Sequence, residues 1–306
     1  MRKDWKTFFH IHFIWIALLF LAGISLPFFV NLRQSTMKRH HVSGNPQRIV
    51  SLAPNITEIL FALGLSDKLV AVSNDSDYPP EVADINKVGA FWQPSTEPIL
   101  ATKPDLVITL WFAQQKSVAD TLKGLGYQVM VLRMEKFSEL YDAIRQIGIA
   151  TAKKEPAEKL AADIENKINQ LQTKYQREVK PKVLWVIEQE PLRVAGRNTF
   201  LNELIEAAGG QNAIGETLQQ YPSISTEEII SCDADVIIQS AMSKNDIESQ
   251  QIRTEKFWSK YKNIPAVKNE KIFVLDSDEI LRLGPRLPQG IETIANCLYS
   301  DNAQEE

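Results

Sequence analysis

The chain has 306 residues, 44% hydrophobic, 24% charged and 8% aromatic, fractions that argue against a disordered or fibrous chain, and its formal net charge of −4 gives no electrostatic case for nucleic-acid binding. All four histidines (His10, His12, His40, His41) precede residue 42, so the rest of the chain has no Ser-His-Asp or Cys-His nucleophile and no imidazole for zinc or haem iron. Two cysteines, Cys232 and Cys297, exclude a four-thiolate cluster and leave one disulfide arithmetically open.

From Thr7 to Leu32 there is no Asp, Glu, Lys or Arg, the run Phe8–Val30 is largely apolar, and Arg2, Lys3 and Lys6 precede it. This is the layout of a secretory signal or signal anchor, and the run is long enough to cross about 30 Å of hydrocarbon. Leu21-Ala22-Gly23 has the look of a lipoprotein signal, but Ile24 stands where the lipidated cysteine would be. We expect residues 1–32 to form an apolar export helix, more readily kept as an inner-membrane anchor (8–30) than cleaved. Residues 33–46, with Ser43-Gly44-Asn45-Pro46, are expected to be a linker.

Arg48-Ile-Val-Ser-Leu52 reads as a short strand, turned by Ala53-Pro54 into a helix. Asn55-Ile-Thr-Glu58 has the spacing of a capping box, and Gly64 closes the helix. Further strands are expected at Val70–Ser73, Pro104–Thr109 and Gln128–Leu132, then at Val183–Ile187, Asp235–Ile238 and Lys271–Leu275. Short β runs alternating with helices predict two α/β lobes, at 47–153 and 180–299, followed by a tail at 300–306. Between them, at 154–179, lies a connector. Its core, Pro156–Glu178, is free of internal Gly or Pro and places Leu160, Ile164, Ile168 and Leu171 on one face, the pattern of one long stiff helix.

The two halves resemble each other. Ser95–Ile108 aligns without gaps to Ser225–Ile238, with Ser, Thr, Glu, Ile, Asp and the final Ile coinciding, and Glu58–Gly64 parallels Glu203–Gly209. An internal duplication predicts pseudo-two-fold lobes. Its acidic members Glu97 and Glu227 follow Ser-Thr, where a carboxylate favours a helix start by about 0.3–1 kcal/mol. As a pair, one per lobe, they also suit docking to a symmetric partner carrying two arginines.

With these residues in view, the chain resembles the cobalamin-binding, helical-backbone branch of the ABC-transporter substrate-binding proteins, which includes ferric-siderophore and haem receptors. The resemblance runs from Gln47 to Tyr299 and rests on Arg48-Ile-Val-Ser-Leu-Ala-Pro-Asn-Ile-Thr-Glu58, Ser76-Asp-Tyr-Pro-Pro80, Lys103-Pro-Asp-Leu-Val-Ile108 and Ser277-Asp278…Arg282…Pro285-Arg286. It implies a class III periplasmic-binding-protein architecture: two Rossmann-like lobes bridged by one helix, an inter-lobe cleft for the ligand, and an exported, extracytoplasmic location. It implies that Glu97 and Glu227 dock onto a dimeric permease. Asp278 and Arg282 match positions that contact corrin side chains, Tyr221 matches an aromatic cleft residue, and Phe91-Trp92 falls near another. Asp75 stands where a tyrosine is expected before Ser76-Asp77-Tyr78, and Leu110 where a tryptophan is expected, with Trp111 beside it. The implied ligand set is therefore Asp75, Tyr78, Phe91, Trp92, Trp111, Tyr221, Asp278 and Arg282, without a cofactor or resident metal.

Trp111-Phe112 independently follows a strand, at the carboxyl end where open α/β sheets bind ligands. Arg133, Arg193, Arg197 and Arg286 offer an alternative, a receptor for an anionic ferric chelate. Trp185, inside an apolar strand, is expected in the core. An enzyme on two α/β lobes is disfavoured, because no Gly-x-Gly-x-x-Gly and no phosphate-loop lysine follows any strand. A membrane-tethered sensor lacks a signalling domain within the sequence.

Overall fold

The computed structural model describes residues 45–241 and 244–299. The expected export segment, most of the linker and the tail lie outside the described residues. In chain order the first lobe contains β1 (Ile49–Ser51), α1 (Pro54–Ala62), β2 (Leu69–Val72), β3 (Gly89–Ala90), β4 (Gln93–Pro94), α2 (Thr96–Ala101), β5 (Leu106–Leu110), α3 (Ala113–Gly124), β6 (Val129–Leu132) and α4 (Phe137–Ala150). After α5 (Lys154–Lys174) come β7 (Lys182–Gln189), β8 (Leu192–Val194), α6 (Phe200–Ala207), β9 (Gln211–Asn212), α7 (Thr226–Ser231), β10 (Val236–Ala241), α8 (Ile247–Trp258), α9 (Pro265–Lys268), β11 (Ile272–Asp276), α10 (Ser277–Ile280) and α11 (Leu287–Tyr299).

The first sheet is parallel throughout, in the order β2-β1-β5-β6. Its chain direction across the sheet reverses between β1 and β5, the place where such sheets open a crevice at their carboxyl ends. The strands are nearly continuous in Val, Ile and Leu because helices cover both faces, and β1 is buried at every position. The second sheet runs β11-β10-β7-β8, with β9 also on β7; β8 is antiparallel and the other pairings are parallel. Trp185 is fully buried, as expected.

The duplication holds in three dimensions. Asp105 Oδ2 accepts from the backbone of Gln47 (2.9 Å) and Arg48 (3.0 Å), and its equivalent Asp235 accepts from that of Lys182 at 2.8 Å. Each aspartate thus ties down the start of its lobe's central strand. Lys103 and Asp233, equivalent by alignment, both take left-handed backbone angles, with φ 48° and 50°.

Two expectations are corrected. Helix α1 starts at Pro54, behind Ala53 and without a side-chain cap. Proline in the first turn sacrifices only an N–H that had no helical partner. Asn55 and Glu58 do not form a capping box; they point toward the other lobe. The connector α5 spans 21 residues, Lys154–Lys174, about 31 Å at 1.5 Å per residue, and ends short of Glu178. Just past its end, Tyr175 stacks on Tyr299 of α11 with ring centroids 6.1 Å apart. Its buried stripe is Ala157, Ala161, Ile164, Ile168 and Leu171, packed against α4, α6 and α11. Gly148 on α4 makes the tight α4–α5 approach possible, since a Cβ there would collide with Ala157. One continuous core therefore runs from the first lobe through α5 into the second.

Cys232 and Cys297 are free thiols. Burial pushes the Cys297 thiol up to about 11.

Candidate functional site

The loops at the carboxyl ends of both sheets face one another across an inter-lobe seam. On the first lobe, β3 and β4 form a small hairpin whose two turn residues are Phe91 and Trp92. Phe91, Trp92 and Phe112 make one aromatic cluster, with ring centroids 4.8, 5.1 and 5.5 Å apart. Trp92 is 65% exposed and Trp111 52% exposed. The Trp111 ring carries Lys116 Nζ at 5.2 Å from its centroid.

The turn is held from beneath. Asp75 Oδ2 accepts from the Phe91 N–H at 2.5 Å. The Gln115 amide, fully buried, donates to the carbonyls of Phe91 (2.9 Å) and Leu52 (2.8 Å). Its oxygen accepts from the Leu110 N–H at 2.9 Å and from the Thr109 hydroxyl. Gln115 thus staples the aromatic turn to the ends of β1 and β5. Behind the Asp75–Tyr78 loop, the Ser51, Thr57, Ser73 and Ser76 hydroxyls form a buried hydrogen-bonded group.

The second lobe contributes the segment after β11. Arg282 pairs with Asp278 (2.5 Å), Asp77 (2.6 Å) and Glu58 (3.3 Å), and donates to the Asp75 carbonyl at 3.2 Å. Arg286 grips Glu58 with two bonds, 3.0 and 2.7 Å, and its guanidinium lies 4.1 Å from the centroid of the Tyr78 ring. The side chains are 2% exposed for Glu58 and 10% for Arg282. Desolvation lowers the pKa of both arginines, yet their carboxylate partners hold them above the ordinary value. Asn55 Nδ2 donates to the Leu283 carbonyl at 3.1 Å.

A second crossing joins the lobes. Glu203 on α6 accepts from the Phe137 N–H at the start of α4, at 2.7 Å. Burial raises the Glu203 pKa, while the Phe137 N–H and Lys136 pull it back. Tyr221 belongs to the second lobe, and its phenol is raised first by burial and then by the charge of Glu135, just beyond β6 of the first lobe.

Asp75, Tyr78, Asp278 and Arg282 thus come together at one end of the seam. Phe91, Trp92 and Trp111 lie at the end of the first sheet, and Tyr221 faces that lobe from the other side. Glu97 and Glu227 are apart from all of them, exposed in the first turns of α2 and α7. The capping box at α7 is made by Ser225 and Glu228, so Glu227 is not needed for it. Among the described residues neither glutamate side chain carries a hydrogen bond or ion pair within the protein. Glu58, Glu203 and Gln115 escaped the sequence reading as functional residues. The alignment of Glu58 with Glu203 held a signal for two of them; Gln115 had none.

A family of periplasmic binding proteins matches residues 49–279. The chain belongs to that family. An uncharacterized ABC transporter substrate-binding lipoprotein, YvrC of Bacillus subtilis, is 30% identical over 272 residues, covering 86% of this chain and 83% of its own. The vitamin B12-binding protein of Vibrio parahaemolyticus is 31% identical over 242 residues, 78% of this chain and 85% of its own. Among solved structures, the periplasmic heme-binding protein RhuT of Roseiflexus sp. RS-1 in apo form superposes with a TM-score of 0.73 at 28% identity, covering 83% of this chain and 98% of its own. The chain is therefore an extracytoplasmic substrate-binding protein of an ABC transporter, not an enzyme, with the two-lobe class III fold.

Proposed function

We propose that this protein captures a corrinoid between its lobes and delivers it to a dimeric ABC permease through Glu97 and Glu227. The observation that supports the reading is the exposed aromatic surface beside the seam. Phe91, Trp92, Trp111, Tyr78 and Tyr221 offer aromatic surface suited to a large, flat, mostly uncharged macrocycle. The arginines that an anionic chelate would need are already engaged: Arg133 with Glu135 and Glu139, Arg193 with Glu188, Arg197 with the Ile214 carbonyl, and Arg286 with Glu58. In this reading Asp75, Asp278 and Arg282 form the rim, and Asp278, beside its pair with Arg282, is the proposed partner of a corrin amide. The vitamin B12-binding relative supports this substrate class. A second reading, haem, is favoured by the exposed Tyr78 phenol, an iron-ligand type that needs no histidine, and by the heme-binding neighbour.

Titration of the full-length chain with cyanocobalamin, cobinamide, haem and ferric siderophores separates these readings. A corrinoid alone should bind below micromolar, about −8 kcal/mol or better, and Trp111→Ala or Tyr221→Ala should each weaken it by ~1–3 kcal/mol. Tight binding of haem alone would reverse the assignment. For delivery, Glu97→Lys and Glu227→Lys should each leave binding unchanged and impair uptake, because an attraction to permease arginines becomes repulsion. Normal uptake in the double variant would reduce both residues to ordinary helix-start carboxylates.

A further inference from the structure

Glu58 and Glu203 stand at equivalent places in the duplicated sequence, each within the helix that Gly64 or Gly209 terminates. The structure adds that both leave their own lobe. Glu58, on α1 of the first lobe, binds Arg282 and Arg286 just beyond β11 of the second. Glu203, on α6 of the second lobe, binds the Phe137 N–H just beyond β6 of the first. We propose that these two glutamates are a pseudo-symmetric pair of inter-lobe tethers, and that the Glu58 tether is wired to the aromatic turn of the cleft.

The wiring is a continuous set of contacts. Arg282, seated on Glu58, donates to the Asp75 carbonyl at 3.2 Å and pairs with Asp77 at 2.6 Å. Asp75 in turn holds the Phe91 N–H at 2.5 Å, while Arg286 lies against the Tyr78 ring. The orientation of the second lobe therefore bears on the loop that fixes Phe91-Trp92. A buried charge left without its partner is costly, so the lobes have one strongly preferred arrangement. Force that separates them must pull Arg282 off Asp75 and Asp77, which loosens the aromatic turn at the same moment. Lobe separation and loss of ligand grip become one event. Glu58, Arg282 and Glu203 are positioning residues in this account, acting through Asp75 and Phe137. The release consequence rests on the proposed inter-lobe ligand site; the tethers and their wiring do not.

Hydrogen exchange and small-angle scattering on the full-length chain without ligand test the tethers directly. Glu58→Gln should speed exchange of the Phe91 segment at least about ten-fold, the effect of a loss near RT ln 10, with the Val183–Ile187 amides unchanged. Glu203→Ala should speed exchange at Phe137, and the double variant should broaden the scattering-derived distance distribution more than either single change. Arg282→Lys keeps a cation beside Glu58 but cannot also span to the Asp75 carbonyl. It should free the Phe91 segment while the fold persists, and it carries the test if Glu58→Gln does not fold. Asp75→Ala, which removes the acceptor of the Phe91 N–H, should free Phe91 and leave the distance distribution as in the wild type. If these variants lower thermal stability yet leave both Phe91 exchange and the distance distribution unaltered, the contacts are local packing and the proposal is overturned. Binding of cyanocobalamin and haem is then measured on the same variants. Freed Phe91 with unchanged affinity for every probe upholds the wiring and removes the aromatic turn from the ligand site.

Discussion

Gln115 illustrates how one side chain fixes the aromatic turn. Its amide is fully buried, and every polar atom on it has a partner, drawn from the ends of β1 and β5, the Thr109 hydroxyl and the aromatic turn. Gln115→Ala strands the Leu52 and Phe91 carbonyls and the Leu110 N–H in an apolar surrounding, at roughly 1–3 kcal/mol for each group that water does not reach. We expect a net loss of about 2–4 kcal/mol in denaturant unfolding and weaker ligand binding, since the Phe91-Trp92 turn loses its anchor. A stability within about 0.5 kcal/mol of wild type would mean that water enters and replaces the amide. The aromatic residues themselves were legible in the sequence, because Phe91-Trp92 between Gly89 and Pro94 reads as a turn rather than a core strand. Gln115 was not, because a glutamine in a helix's first turn has the same appearance whether it faces solvent or bridges two strands. Glu58 was misread for a related reason. Its spacing from Asn55 fits a capping box, and only the fold reveals two arginines, more than 220 positions later, lying over it.

At the scale of elements, the helices taught the most about what sequence carries. The seven expected strands all formed, within a few residues of their predicted limits, since Val/Ile-rich runs buried on both faces leave little ambiguity. The short strands β3, β4, β8 and β9 were not expected, for their pairing depends on tertiary neighbours rather than on apolar runs. The start of α4 is also such a case. Its first N–H is satisfied by Glu203 from the opposite lobe instead of by a local cap. That carboxyl has its pKa raised chiefly by burial, with Glu206 and Glu139 adding to the rise and Phe137 N–H and Lys136 opposing it. A carboxyl whose folded pKa lies above its unfolded one favours the fold most when protonated. Its contribution is full below the unfolded value and is lost as pH rises through the folded one. Glu203→Gln keeps an acceptor for Phe137 but never ionises. Its melting temperature should therefore match wild type near pH 4 and exceed it, by no more than about 2 °C, near pH 7. The opposite trend, wild type gaining on the variant as pH rises, would mean that attraction between the carboxylate and the N-terminus of α4 outweighs desolvation.

For the whole molecule, three features act on the angle between the lobes. A single helix, α5, joins them, and it buries one side along Ala157, Ala161, Ile164, Ile168 and Leu171 against α4, α6 and α11. The core is continuous through it, so bending at the connector would open apolar surface in both lobes at once. At the seam, the Glu58–Arg282–Arg286 cluster and the Glu203–Phe137 bond add polar contacts with strict geometry. Two-lobed receptors whose connectors are extended strands can close by rotating a few backbone dihedrals; a packed helix offers no such soft joint. Ligand entry should accordingly be met by side chains and by the Phe91-Trp92 turn, with the lobes nearly still. Scattering profiles of the full-length chain with and without saturating cyanocobalamin, or with the probe that the titration identifies, should superimpose, with a change in radius of gyration below about 1 Å. A contraction of several ångströms on binding would contradict the stiff connector. It would also place the seam contacts in a closed state reached only with ligand. Near-identity of the profiles would leave separation of the lobes to the proposed docking of the permease through Glu97 and Glu227, acting against the proposed tethers at Glu58 and Glu203.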